Sequence, residues 1–182
     1  IAALLLVVST WGLPIFGSFF TSAARRSPSG PEVAQQTFVY VNGNDFPVFY
    51  GRVIRIANGE PAPRRVAQLA SMSDANRVLR PDLHTLIVTP TGGFLGHPVD
   101  RLLASEDRPF RMGDVIDRPD YRAEVLGVTA DGRPASVSFR FQRPLEDPSL
   151  RWLYWKDFRL VEFPLPRVGE SVILSGDGVV IF

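Results

Sequence analysis

The chain has no cysteine, which excludes disulfides, thiolate metal sites, iron–sulfur clusters and cysteine nucleophiles. Lysine is almost as scarce: Lys156 is the only one, and arginine carries nearly all the positive charge. Histidine occurs twice, at His84 and His97, with no H-x-x-x-H spacing for zinc. Neither sign of charge is in excess. The formal net charge is +1 over 182 residues, so no bulk attraction to nucleic acid is implied. Phosphate-loop and dinucleotide patterns are missing too. The glycine-rich stretch at residues 89–96 (TPTGGFLG) lacks the Walker lysine followed by Ser or Thr, and Gly92, Gly93 and Gly96 have the wrong spacing for a dinucleotide fingerprint. No G-x-S-x-G elbow occurs. No cofactor and no catalytic residue is therefore expected.

What is present begins with residues 1–20, IAALLLVVSTWGLPIFGSFF, which carry no charged side chain. About twenty apolar residues at 1.5 Å each match a bilayer core of roughly 30 Å. Ser9 and Thr10 can return their hydroxyls to helix carbonyls. Trp11, Phe16, Phe19 and Phe20 suit the membrane interface, and Pro14 with Gly12 and Gly17 would bend or loosen a helix. A retained anchor is the leading reading. A signal peptide without its basic start and a buried core helix are the alternatives. The membrane expected is a bacterial inner membrane. Arg25 and Arg26 follow the run and by the positive-inside rule belong in the cytoplasm. A single span with its amino end inside is common among anchored bacterial proteins, and the reading leans to an extracytoplasmic domain.

The organisation expected is an anchor at residues 1–22, a linker at 23–35 around the SPSGP stretch, and a mainly β domain at 36–182. A hydrophobic fraction of 45% with 21% charged residues suits one globular domain of that size. Residues 37–41 (TFVYV) read as a strand, the NGND of 42–45 as a hairpin turn, and residues 48–56 (VFYGRVIRI) as the returning strand. Residues 64–80 are the best helical candidate, with Ser73 as cap over 74–79 and Pro81 as stop. Residues 83–89 suggest a buried strand, and 99–104 a single helical turn.

Beyond residue 110 the β signal strengthens. Segments 123–129 and 136–141 flank an Asp131-Gly132 turn, and Val137, Phe139 and Phe141 alternate with Ser136, Ser138 and Arg140. Segments 150–155 and 158–163 form a further pair, and 170–174 with 179–182 the last. Frequent turns between short strands and sixteen prolines argue for an antiparallel β-sandwich or small barrel with one or two short helices.

Three groups of side chains invite a functional reading. Glu106-Asp107, Asp114-Asp117-Asp120 and Glu146-Asp147 are acidic, but Arg111, Arg118 and Arg122 are interspersed, so local ion pairing competes with a calcium site or a carboxylate hydrolase. His84 reads as a structural histidine within a strand, and His97 as a loop residue or a ligand contact. The densest aromatic cluster, Trp152, Tyr154, Trp155 and Phe158 with Arg151 and Arg159 beside it, is either core on both strand faces or a docking surface for a partner or for lipid headgroups. These features together lead to a non-catalytic accessory subunit, whose partners are the bilayer and other subunits of a membrane complex. A membrane-anchored ligand-binding or sensory domain using the 89–97 loop is the alternative.

Overall fold

The alternation of Val137, Phe139 and Phe141 with Ser136, Ser138 and Arg140 produces strand β7 (Pro134–Phe141) in the computed structural model. The structure describes residues 28–43, 45–71, 75–96, 109–157, 159–175 and 178–181. In chain order the other elements are β1 (Thr37–Tyr40), α1 (Asp45–Ala57), β2 (Arg65–Gln68), β3 (Ala75–Leu79), β4 (Thr85–Pro90), β5 (Val115–Asp117) and β6 (Tyr121–Val128). After β7 come β8 (Leu150–Lys156), β9 (Arg159–Glu162), β10 (Ser171–Ser175) and β11 (Gly178–Ile181). A short 3-10 helix, Pro31–Gln35, precedes β1 and buries Val33.

The strands form two sheets, ordered β2-β1-β8-β9 and β11-β10-β3-β4-β7-β6-β5. The larger sheet is antiparallel throughout; turn signals carried by the sequence join β6 to β7 and β10 to β11, while β3–β10 and β4–β7 pair segments distant in the chain. Gly132 makes the β6–β7 turn at φ 78°, a backbone region open to glycine without steric cost. The smaller sheet departs from the expected antiparallel arrangement, because β1 runs parallel to both β2 and β8. A strand flanked on both sides and covered on both faces is largely apolar, and all four residues of β1, Thr37 included, are buried. The described strands do not close into a barrel.

Two cores result. One lies between the sheets and contains Val39, Ala67, Leu86, Val88, Phe139, Phe141, Trp152 and Leu174. The other lies between the small sheet and α1 and contains Val33, Phe38, Tyr40, Val48, Leu153, Trp155 and Leu160. The described molecule is therefore a helix, a small sheet and a large sheet stacked in three layers.

Two expectations change places. Residues 48–56, read as a strand, belong to helix α1, while the helix expected over 64–80 is replaced by β2 and β3. Helical period turns Val48 and Arg55 inward and leaves Tyr50, Val53 and Ile56 outside. Val and Ile are common in strands, but tertiary context overrides that preference here. The stop signal is Gly59 at φ 69°, whose N–H donates to the Ile56 carbonyl at 3.1 Å. In β3 the period is two: Asn76 and Val78 face the core and Arg77 faces out.

Arg80, expected in that helix, is instead a buried staple just past β3. It donates from Nε to the Asp82 carbonyl and from Nη1 to the Pro166 carbonyl, each at 3.1 Å, and pairs with Glu146 at 2.5 Å. That pairing draws the Glu146 carboxyl below its usual pKa.

No helix among the described residues is long and apolar enough to cross a membrane. The apolar run 1–20 with Trp11, Phe16, Phe19 and Phe20, and the helical turn expected at 99–104, lie outside the described residues.

Candidate functional site

Strand β8 decides the fate of the aromatic cluster. Alternation turns Trp152 and Tyr154 between the sheets, while Leu153 and Trp155 face α1. Trp152 is 6% exposed, meets Phe141 edge-on at 5.0 Å, and donates from Nε1 to the Leu145 carbonyl at 2.7 Å. Tyr154 stacks edge-on with Phe163 at 6.2 Å. The Trp155 backbone N–H donates to Asn42 Oδ1 at 3.0 Å, pinning the end of β1 to β8. Each of the three rings is thus committed to a core. Arg151 is held by Glu162 at 2.7 Å and Glu32 at 3.7 Å, Arg159 is exposed, and Phe158 lies outside the described residues.

The aspartates do not converge. Asp120 pairs with Arg65 at 2.8 Å and Arg64 at 3.7 Å, Asp117 with Arg122 at 3.9 Å, and Asp114 accepts the Arg111 N–H at 2.8 Å. Asp147 caps its own turn through the Ser149 hydroxyl and N–H, and those bonds lower its pKa. Glu106 and Asp107 lie outside the described residues. Among the described residues no group of three His, Asp or Glu is placed to hold a metal ion.

The glycine-rich loop is tied down as a turn. Gly92 and Gly93 have φ 78° and 81°, and a Cβ on Gly93 would stand 2.7 Å from Thr129 and 2.9 Å from the Pro134 carbonyl. Phe94 donates its N–H to the Pro134 carbonyl, and Arg133 Nη1 donates back to the Phe94 carbonyl, both at 2.8 Å. His97 is outside the described residues. His84 is not inside a strand as expected. It sits half-buried in the bend before β4, its N–H donating to Asp82 Oδ1 at 2.7 Å. That bond, one from Thr85 and the nearby Arg140 outweigh the desolvation of Asp82 and lower its pKa.

The unmatched surface lies at the far edge of the large sheet. Seven strands span roughly 29 Å between edge-strand axes and four span roughly 14 Å, at about 4.8 Å per strand. The small sheet therefore cannot cover the large one, and no residue of β5 joins the inter-sheet core. Val115 pairs with Glu124 on the outer face, and Ile116 with Ala123 on the inner face. Leu126 faces out beside Glu124, and Val128 follows a break in register. Val115, Ile116, Leu126 and Val128 are about 40% exposed, and Met112 in the preceding turn is 72% exposed. Hydrogen bonds joining Asp114 to Val125 and Arg118 to Tyr121 set the ladder's alternation, which turns the backbone groups of Val115 and Asp117 toward the free edge. The overhang thus exposes apolar side chains on both faces, interspersed on the outer one with Asp117, Arg122 and Glu124, and its outward backbone groups meet no strand among the described residues.

A sequence reading had no means of finding it. Met112, Val115 and Ile116 stand among charged residues, and only the unequal width of the sheets exposes them. No family model matches this chain, nor does any curated protein or solved structure.

Proposed function

We propose that this chain is a non-catalytic accessory subunit of a larger membrane assembly, held by the apolar run at residues 1–20. The overhang at β5 and β6 is the surface on which its protein partner docks. The observation that carries this reading is the exposure of Met112, Val115, Ile116, Leu126 and Val128 at one uncovered sheet edge. Apolar groups gathered at an edge gain by association, because burial removes them from water at about 25 cal/mol per Å². The partner completes the edge, contributing apolar side chains and, over the three residues of β5, backbone pairing.

The reading moves docking away from the β8 aromatics. Their rings stabilise the domain, and Arg151 is engaged with its own acidic neighbours. The tether sets the effective concentration of domain and partner at the membrane, so a modest interface suffices.

The test is gentle detergent extraction from native membranes, followed by size-exclusion chromatography and mass spectrometry of co-eluting proteins. Wild-type chain is expected to migrate with a defined membrane complex, and the pair Ile116→Asp and Leu126→Asp to elute alone with an unchanged melting temperature. Elution of the wild-type chain as a lone species sinks the reading. Retention of the complex by the double variant moves the docking surface elsewhere.

A further inference from the structure

Helix α1 presents a second exposed apolar surface, distinct from the β5–β6 edge. Tyr50, Val53 and Ile56, at three-residue steps, are 54%, 60% and 56% exposed. Their position is set from beneath, where Val48 packs against the small sheet and Arg55 is buried at 3% exposure. Arg55 lies 5.8 Å from the Phe38 ring centroid and donates to the Pro61 carbonyl at 2.9 Å. Its other amino group donates to the Pro28 carbonyl at 2.6 Å. The chain thus enters the described structure clamped to the carboxyl-terminal end of α1.

That clamp bears on what covers the helix. Seven residues, 21–27, separate the uncharged run 1–20 from Pro28. Fully extended, they reach at most about 25 Å, comparable with the roughly 20 Å length of a thirteen-residue helix. The tether includes Arg25 and Arg26, and α1 itself carries the exposed Arg52, whose Nε donates to the Pro63 carbonyl at 3.0 Å. Apolar side chains bordered by arginines form the pattern of a helix lying at a lipid interface.

We infer that the outer face of α1 rests on the bilayer surface, with Tyr50, Val53 and Ile56 at headgroup depth and the neighbouring arginines against anionic phosphates. This inference rests on the anchor reading of residues 1–20 and adds to it a fixed orientation. The domain lies on the membrane by its helical layer and turns the large sheet away from lipid. The anchor holds the chain at the bilayer and the helix face adds a weaker second contact, and two contacts hold a fixed pose where one permits rotation.

The absence of cysteine makes the test direct. Full-length chain carrying Val53→Cys, labelled with a polarity-sensitive fluorophore, is reconstituted in vesicles of phosphatidylcholine and phosphatidylglycerol. Thr89→Cys, on the exposed face of the large sheet, is the comparison. The label at position 53 is expected to shift to shorter wavelength, to be quenched by headgroup-level spin-labelled lipid and to resist aqueous iodide, and the label at 89 to do none of these. A label at 53 as open to iodide as that at 89, on chain that floats with the vesicles, overturns the inference and leaves the anchor standing. Shielding from iodide without lipid quenching means that the run 1–20 or a second copy covers α1, and also overturns it. Failure of the chain to float removes the anchor reading and this one together.

Discussion

At the residue scale, the polar groups inside the domain are of two kinds. Arg80 and Arg55 are buried cations whose donors meet backbone carbonyls, so each ties distant loops together. Asn76 is different. It is fully buried on β3, and neither its Oδ1 nor its Nδ2 meets a hydrogen-bond partner among the described residues. A buried amide without partners costs about 1–3 kcal/mol, so Asn76→Leu, with the same branching, is expected to raise the unfolding free energy by about 1–2 kcal/mol and the urea midpoint with it. A lower midpoint in urea unfolding shows that the amide is satisfied and stabilising. Asp131 gives a pH prediction. Arg133 and the Thr129 hydroxyl hold its pKa at about 2, below the ordinary 3.8. A depressed carboxyl adds stability above its unfolded pKa and loses it as pH falls through the folded one. Asp131→Asn is therefore expected to destabilise at neutral pH, the difference vanishing as the pH drops through that window. A carboxyl carbon titration by NMR that finds Asp131 near 3.8 removes the effect.

At the element scale, α1 separates structural from functional side chains on one helix. Val48 is packed into the second core, and its truncation to Ala is expected to cost about 2 kcal/mol. Val53→Glu and Ile56→Glu, on the outer face, are expected to change stability by no more than about 0.5 kcal/mol each. Thermal melts of the three variants in detergent compare them directly. Comparable losses at 53 and 56 place those residues in a packed interface rather than on a free face. The same division holds along β8, where every ring described is packed and only the charged positions at its ends reach solvent.

At the scale of the whole molecule, protection should follow layer and edge. β1 is central in the small sheet and covered on both faces, whereas β5 is a three-residue edge strand with every residue exposed. Local opening is cheapest where few apolar contacts and few ladder bonds must break. Hydrogen exchange is expected to be slowest at Thr37–Tyr40 and fastest, among the strands, at Val115–Asp117. Equal rates at the two would mean that the molecule opens only as a unit. Slow exchange at β5 in native membranes but not in the isolated chain is the result expected if a partner covers the overhang.

Much of the local structure is determined by the sequence alone. The Asp131-Gly132 turn, the β6–β7 alternation, the β8–β9 pair and the β10–β11 pair depend on neighbours within a few residues, and both turn chemistry and period act at that range. Helix α1 left its marks as well, in Asp45 and Pro47 at its start and Gly59 past its end, but its Val and Ile content reads equally as strand. The parallel pairing of β1 with β8 joins segments more than a hundred residues apart, and no local pattern specifies it. The candidate surfaces are decided at the same level. Period two gives β8 two faces and period 3.6 gives α1 two faces, yet period cannot say which faces are covered. The second layer over β8 buries Trp155, while among the described residues no layer covers β5 or the outer face of α1, where Ile116 and Val53 are exposed. Exposure is a property of what packs on top, and only the tertiary arrangement supplies that.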